Sequence, residues 1–260
     1  MSEIRLSVQV RPQHADYPAM RRAWLEAEQL GADTVFTWDH FFPLTGDPNG
    51  RHLECLTLLA AMAETTERAR IGALVLCNSY RNPQYLAAAL GTIDQISGGR
   101  LIVGIGSGWF QRDYDEYGYE FGTAASRLRA LARDLPLLKA RLGKLNPPPL
   151  GDIPILIGGQ GERITLRIVA EQADMWHGFG DADRFRRKDE VLLRHCADVG
   201  RDPDEIERTW GVPGGEVEQA ERLVAAGVNH LTVSVDAHGS DYYDMAPVRR
   251  LVEWRDRQRG

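Results

Sequence analysis

The segment "ARIGALVLCNSYRNPQYLAAALGTIDQISGGRLIVGIG", residues 69–106, has the pattern of a strand, a helix and a second strand. Residues 69–80 are almost continuously apolar, which is typical of a strand buried on both faces of a parallel sheet. Asn82 suits a helix N-cap and Pro83 the first helical position, so a helix follows. Residues 101–108 then form another apolar strand. This unit predicts a parallel sheet whose strands are connected by helices.

The same alternation continues along the chain. Strands are predicted over residues 4–10, 33–42, 69–80, 101–108, 153–159, 173–180, 206–212 and 229–235. Helices are predicted over 17–31, 53–66, 81–100, 125–143 (with a kink expected at Pro136), 161–171, 184–199, 215–226 and 241–257. Eight such units in 260 residues fit an α/β fold of the (β/α)8 TIM-barrel type, and a doubly wound open sheet is the alternative.

A proline-rich stretch, "GKLNPPPLGD" at 143–152, is the one break in composition and a possible domain boundary. The strand–helix rhythm continues through it, so we expect one domain over residues 1–260.

Composition restricts the class of partner and the compartment. The formal net charge is −6 and no long basic run occurs, which argues against nucleic acid or an anionic membrane as the main partner. Three widely separated cysteines form neither a disulfide framework nor a zinc-binding spacing. The first residues lack an apolar signal core, and no apolar run approaches the ~18 residues of a membrane span. We therefore expect a cytoplasmic protein with a small-molecule substrate.

The glycines that end the fourth predicted strand, Gly104, Gly106 and Gly108, do not match a dinucleotide-binding turn. Their spacing is two residues, the third position of that fingerprint is Trp109, and the unit is not the first of the chain. Glycines spaced by two lie on one face of a strand, where they leave room for a flat ligand or close a narrow layer of the barrel.

A second glycine cluster, Gly158, Gly159 and Gly161, ends the fifth predicted strand. Backbone N–H groups at the start of the following helix attract an anion, and Arg163 adds a positive charge there. The cluster is therefore a candidate phosphate site, with a flexible turn as the alternative.

Asp39 and His40 are at the end of the second predicted strand, where the chemistry of a barrel would lie. A histidine suits proton transfer beside a redox ring, and Asp39 would orient it or bond a cofactor; a purely structural histidine is the alternative. Together His40, His177 and His238 could suggest a metal centre. Strand one reads "SVQV" and lacks the paired histidines typical of barrel metal hydrolases, so we expect no metal.

The stretches "VFTWDHFFP", "RIGALVLCNSYRNP", "ISGGRLIVGIGSGWFQRDYDEYG" and "ILIGGQGERITLRIVAEQADMWH", in this order, resemble the luciferase-like monooxygenase superfamily. In particular the chain is similar to the branch that uses the deazaflavin coenzyme F420. The match covers residues 1–180 well and the rest loosely. The resemblance implies a barrel that holds the cofactor at its C-terminal mouth, with His40 near the reactive carbon and Asp39 in support, and a homodimer.

The resemblance also implies which residues contact the cofactor. A non-prolyl cis peptide at Leu74–Val75 would form a bulge under the ring, with Gly106, Ser107, Gly108 and Trp109 against the ring or its side chain. The remaining candidates are Cys77 and Asn78 after the bulge, Gly158, Gly159, Gln160 and Gly161 for the phosphate, and Trp176 and His177 for the ribityl or phosphate edge.

Three departures from that family concern the substrate. The sugar-phosphate dehydrogenase members carry Glu where this chain has Trp109, so the catalytic acid is missing and that substrate is in doubt. The insertion at 143–152 and the loop "GVPGGE" after the seventh strand are both short. Because these two segments are short, the substrate site is expected either to be open or to be completed by a partner subunit.

The leading hypothesis is an F420-dependent oxidoreductase that transfers a hydride between the deazaflavin and a small organic substrate. The first alternative is an FMN-dependent monooxygenase that activates oxygen. The second is a non-catalytic flavin or deazaflavin binder.

Overall fold

The computed structural model describes residues 3–239 and 241–259 and contains a closed barrel of parallel strands. Its strands are β1 (Arg5–Val10), β2 (Thr34–Thr37), β3 (Arg70–Ala73), β4 (Leu76–Cys77), β5 (Leu101–Gly106), β6 (Ile155–Gly158), β7 (Met175–Phe179), β8 (Glu207–Gly211) and β9 (His230–Val235). The order is β3-β2-β1-β9-β8-β7-β6-β5-β4, and β3 also pairs with β5, which closes the sheet. Because β3 and β4 are two halves of one strand, the predicted eight-stranded α/β barrel is confirmed.

Helices surround the barrel in the predicted order. They are α1 (Tyr17–Leu30), α2 (Cys55–Thr65), α3 (Pro83–Ser97), α4 (Gln111–Tyr117), α5 (Ala124–Leu142), α6 (Thr165–Gln172), α7 (Ala182–Val199), α8 (Val217–Ala225) and α9 (Ala246–Arg259). The short α4 lies in the loop after β5 and was not predicted. Helix α5 contains Pro136 and extends through it as one helix.

Two predicted helix starts were wrong. Helix α6 begins at Thr165 rather than near residue 161, because the glycine-containing loop after β6 is longer than expected. Helix α9 begins at Ala246, because Tyr242–Tyr243 (β11) pairs with Ala237–His238 (β10) in an antiparallel hairpin that precedes it.

The residues at the predicted helix ends adopt the capping conformations that are typical of their residue types. The Asn82 side chain accepts hydrogen bonds from the backbone N–H groups of Gln84 and Tyr85, and Pro83 is the first residue of α3. Gly31 ends α1 with a φ of 94°, a left-handed conformation that glycine adopts without steric cost. These two predictions are confirmed.

The apolar core has two layers because successive side chains of a strand point to opposite faces. Val35, Ile71, Val103 and their neighbours belong to the large cluster that includes the helices. The alternating residues form a second, smaller cluster on the inner face of the barrel: Phe36, Leu74, Ile102, Leu156 and Met175. This inner layer fills the barrel below its mouth, which is the end formed by the carboxyl ends of the strands.

Glu28, on α1, has a buried carboxylate that accepts hydrogen bonds from the backbone just before β3. Its Oε1 accepts hydrogen bonds from the backbone N–H groups of Arg68 and Ala69 at 2.7 and 2.8 Å, and Glu67 donates a third at 3.0 Å. Burial alone raises the pKa of this carboxyl. The N–H donors outweigh burial and lower the pKa of Glu28 below its ordinary value.

Glu28→Gln is expected to lower the free energy of unfolding at pH 7 by about 1–2 kcal/mol, because a neutral amide accepts these hydrogen bonds more weakly. The folded-state pKa is depressed, so this stabilisation is present above the unfolded pKa of about 4.3 and is lost as the pH falls through the folded value. Urea unfolding of both proteins across this range measures the difference. A difference that stays constant into strong acid would contradict the argument.

Candidate active site

A cavity of about 680 Å³ opens at the carboxyl ends of the barrel strands. Its lining includes residues at the ends of β1, β2, β4, β6, β7, β8 and β9. This is the end at which βα loops carry the chemistry of such barrels. The cavity is therefore the candidate active site.

The third barrel strand is interrupted at the cavity by a cis peptide between Leu74 and Val75, at the position that the resemblance implies. The Leu74 carbonyl accepts a hydrogen bond from Gln9 Nε2 at 2.6 Å, and the Gln9 Oε1 in turn accepts one from the Ser234 hydroxyl. Leu74 and Val75 both line the cavity.

Three glycines make room for this bulge. A Cβ at Gly104 would lie 2.0 Å from the Ala73 carbonyl oxygen, and one at Gly106 or Gly158 would lie 2.9 Å from a Val75 methyl group. The interpretation that the β5 glycines leave room directly for a ligand is therefore corrected, since Ala73 and Val75 fill that space. The glycines act on the site through the position of Val75.

His40 is held by a buried carboxylate that the sequence did not indicate. His40 Nδ1 lies 2.7 Å from Asp113 Oδ2. Asp113 also accepts hydrogen bonds from the backbone N–H groups of Phe41 and Phe42 and from the Tyr80 hydroxyl. Because an ionised carboxylate only accepts hydrogen bonds, we assign the proton to Nδ1, which leaves Nε2 available to a ligand.

Asp39 does not orient His40, and that prediction was wrong. Asp39 instead accepts two hydrogen bonds from Arg81, at 2.6 and 2.9 Å, and one from the Cys77 backbone N–H. Burial alone lowers the pKa of Arg81, but Asp39 and Glu54 outweigh it and raise that pKa. Asp39 lines the cavity and fixes the chain that follows the bulge.

Aromatic rings surround His40. The rings of Trp38, Trp109 and Phe110 lie 5.6–5.8 Å from the imidazole, each edge to face. On its other side Trp38 donates a hydrogen bond from Nε1 to His52 Nε2. Burial and the proximity of His40 lower the pKa of His52 to about 4, so His52 accepts this bond as a neutral ring. The imidazole of His40 therefore lines the cavity with apolar aromatic rings around it.

The loop after β6 has the features of an anion site. Gly159 has a φ of 138°, and its carbonyl accepts a hydrogen bond from Trp176 Nε1 at 2.8 Å. Ile164, at the N-cap of α6, supplies no side-chain hydrogen bond, and the Leu166 N–H of the first turn donates to the Gly161 carbonyl. Arg184 lies close by, donating to Gln160 Oε1 at 2.7 Å.

His177 is a neutral cavity residue. Its Nδ1 lies 2.8 Å from Thr209 Oγ1 on the neighbouring strand. Burial and the nearby His230 lower the pKa of His177 to about 3, so the imidazole stays uncharged at neutral pH. It can offer a hydrogen bond but not a charge.

The structure brings ten of the sixteen predicted site residues to the cavity lining: Asp39, His40, Leu74, Val75, Cys77, Gly108, Trp109, Gly158, Gly159 and His177. The other six lie outside the lining: Asn78, Gly106, Ser107, Gln160, Gly161 and Trp176.

Each of these six has another role or neighbour. Trp176 alternates with His177 and so faces the helices, against Phe185 and Trp210. Asn78 donates a hydrogen bond to Asp134, and Gln160 donates one to the Phe179 carbonyl. The Ser107 carbonyl accepts one from Tyr114, Gly106 faces Val75, and Gly161 faces Thr165.

Several lining residues were missed by the sequence analysis. Gln9, Thr232 and Ser234 point into the barrel, and polar residues at alternate positions of two otherwise apolar strands are a signal that could have found them. Arg11 and Asp236 directly follow predicted strands, and Trp38 and Tyr80 lie near the ends of two others, but nothing in the local sequence distinguishes them from their neighbours.

Two further findings concern metals and membranes. Within residues 3–239 and 241–259, no group of three or more His, Cys, Asp or Glu side chains is arranged to hold a metal ion. The three histidines considered above have different neighbours: His40 pairs with Asp113, His177 with Thr209, and His238 stacks on Tyr242. In the same part of the chain, no helix combines the length and apolarity needed to cross a membrane.

Two relatives match different lengths of this chain in sequence. An F420-dependent glucose-6-phosphate dehydrogenase of Amycolatopsis mediterranei is 34% identical over 116 residues, 44% of this chain and 34% of that protein. An uncharacterized protein of Mycobacterium tuberculosis is 29% identical over 224 residues, 76% of this chain and 75% of that protein. The chain thus spans about a third of the first relative and three quarters of the second.

Solved structures match over the whole barrel. An F420-dependent secondary alcohol dehydrogenase in complex with an F420-acetone adduct superimposes with a TM-score of 0.84 at 14% identity, covering 96% of this chain and 98% of that one. At this identity the likeness concerns the fold. The luciferase-like monooxygenase family profile matches residues 2–223. The chain belongs to the luciferase-like monooxygenase family.

Proposed function

We propose that the protein is an F420-dependent oxidoreductase that transfers a hydride between the deazaflavin ring and a small organic substrate. The observation that carries this proposal is one cavity that joins the Val75 bulge and the start of the glycine loop, Gly158 and Gly159, to the His40–Asp113 pair. The F420-dependent relative and structural neighbour described above support the choice of cofactor.

The residues present fit a cofactor that combines a flat deazaflavin ring with a phosphate group. Leu74 and Val75 offer an apolar surface to a flat ring, and His177 offers a neutral hydrogen-bonding group. The start of α6, which has no capping side chain, suits a phosphate, with Arg184 nearby as a cation. The cavity volume, about 680 Å³, is within the range of pockets that bind molecules of this size.

When bound, the deazaflavin ring supplies or accepts a hydride. The chain positions the substrate and moves the accompanying proton. His40 Nε2 accepts a proton from a substrate hydroxyl when the substrate is oxidised, and a protonated His40 returns it when a carbonyl is reduced. Asp113 keeps the imidazole in one orientation, and Trp38 and Trp109 limit the access of water to it. Asp39 acts as a positioning residue for the segment after the bulge.

A cofactor titration tests the proposal. Purified protein freed of cofactor is titrated with F420 and, separately, with FMN, and the fluorescence of each cofactor is followed. We expect low-micromolar binding of F420 and binding of FMN at least tenfold weaker, a difference of about 1.4 kcal/mol. Failure to bind either cofactor would overturn the proposal.

Two other outcomes would assign a different function. A preference for FMN, together with oxygen uptake by the reduced complex, would indicate a monooxygenase, because a deazaflavin has carbon in place of the flavin N5 and reacts poorly with oxygen. Tight binding of F420 without turnover of any alcohol or carbonyl compound would indicate a carrier or binding protein.

A further inference from the structure

We propose that the substrate is an uncharged, largely apolar molecule that offers a single hydroxyl or carbonyl oxygen to His40. This inference rests on the proposed function and assigns a chemical class to its unidentified substrate. Three features of the cavity carry it: the aromatic surround of His40, the pairing of the charged lining residues, and the carboxylate behind the imidazole.

The aromatic surround favours carbon rather than polar substituents next to His40. Trp38 and Trp109 line the cavity on two sides of the imidazole, and Leu44 lines it as well. Trp109 is 63% exposed, an unusually large exposure for a tryptophan, and it stands at the cavity mouth where an apolar substrate would cover it. A second hydroxyl group placed against these rings, beside His40, would find no hydrogen-bond partner on them.

The charged side chains of the lining are already neutralised. Arg11 pairs with Asp236 at 2.8 Å, and Asp236 also accepts a hydrogen bond from Gln13. Asp39 pairs with Arg81. Among the lining residues that the structure describes, Arg11 is the one lysine or arginine, so an anionic substrate would have to compete with Asp236 for it.

The carboxylate of Asp113, which pairs with His40, also disfavours an anionic substrate. Asp113 is fully buried, and its carboxylate lies 2.7 Å from Nδ1 of the imidazole. A second negative charge at Nε2 would be separated from this carboxylate only by the imidazole ring, in a buried environment that screens charges poorly. A neutral hydroxyl or carbonyl oxygen makes the same hydrogen bond to Nε2 without that repulsion.

The test compares two ketones that differ by one charge, cyclohexanone and 4-oxocyclohexanecarboxylate. Each is titrated by calorimetry into the complex with oxidised F420, where ketone and cofactor cannot react, so that binding is measured without turnover. We expect cyclohexanone to bind at least tenfold more tightly. Equal or tighter binding of the carboxylate would overturn the inference, and so would the absence of binding by both ketones.

Two variants localise the effect. Trp109→Lys places a cation at the mouth and is expected to shift the ratio of the two dissociation constants at least tenfold toward the carboxylate. Tyr85→Lys is the matched control, since Tyr85 is similarly exposed on α3 and lies outside the cavity lining. If both variants keep the wild-type ratio, the aromatic surround does not select the substrate.

The same experiments separate this inference from the proposed function. A complex that binds F420 but prefers the carboxylate retains the proposed function and refutes the substrate class. A chain that does not bind F420 refutes both.

Discussion

Replacing His40 by glutamine is expected to lower kcat at least about 100-fold, while the dissociation constant of F420 changes less than threefold. Proton transfer by a positioned side chain contributes about 10²- to 10⁴-fold to a reaction rate. Glutamine retains a polar group of similar reach but cannot take up or release a proton. Steady-state turnover at varied substrate concentration, followed by cofactor absorbance, measures kcat and KM.

His238→Gln is the control for this prediction, because His238 is exposed on the β10–β11 hairpin and stacks on Tyr242 outside the cavity lining. It is expected to leave both parameters at their wild-type values. A His40→Gln protein that turns over at a rate near that of His238→Gln would remove His40 from the proton-transfer step.

Asp113→Asn examines the positioning role of the carboxylate in the same assay. The amide retains an oxygen that can accept from His40 or from the backbone N–H groups of Phe41 and Phe42, but it loses the charge that fixes the imidazole. We expect a fall in kcat that is smaller than that of His40→Gln, with KM changed less than kcat. A fall in stability with kcat unaltered would indicate a purely structural role.

Gly104→Ala is expected to have the largest effect on stability, a loss of about 3 kcal/mol in the free energy of unfolding. The added Cβ would lie 2.0 Å from the Ala73 carbonyl oxygen, which is backbone and cannot rotate away. Overpacking of this kind typically costs about 1–3 kcal/mol. Because Ala73 precedes the bulge, the shift that relieves the contact also moves Val75, so F420 affinity is expected to fall as well. Denaturant unfolding and the cofactor titration measure the two effects.

Gly211→Ala is the matched control for stability. Gly211 also lies in a barrel strand at the cavity, but its added Cβ would have its closest neighbour at 3.6 Å, an ordinary contact distance. We expect its stability to stay within about 1 kcal/mol of wild type, as for a substitution without a clash. Equal losses in the two variants would show that the close approach of Ala73 and Gly104 is not what requires glycine.

The local part of the fold could be predicted because its signals are short-range. The Asn82 cap, the Gly31 stop and the alternation of apolar strands with amphipathic helices each depend on residues within a few positions of one another. The repeated order of eight units then favours a closed barrel. The position of the Leu74–Val75 cis peptide followed from the family resemblance rather than from local pattern.

Errors arose where the chain changes direction. Residues 161–164, which precede α6, and strand β11 of the hairpin were assigned to helices because loop residues next to an amphipathic stretch share its composition. The family resemblance placed Trp176 together with His177 at the cofactor, although one step along a strand turns a side chain to the opposite face.

The sequence by itself therefore determined the barrel, its order of elements, and the end at which His40, His177 and the glycine loop lie. Only the tertiary structure decided how these residues are held. Asp113 is 73 positions from His40, and Arg81 is 42 positions from Asp39, so neither pair leaves a local pattern. Closure of the barrel brings the segment after β2 against α4, which follows β5, and against the segment after β4, so His40 pairs with Asp113 and Asp39 pairs with Arg81.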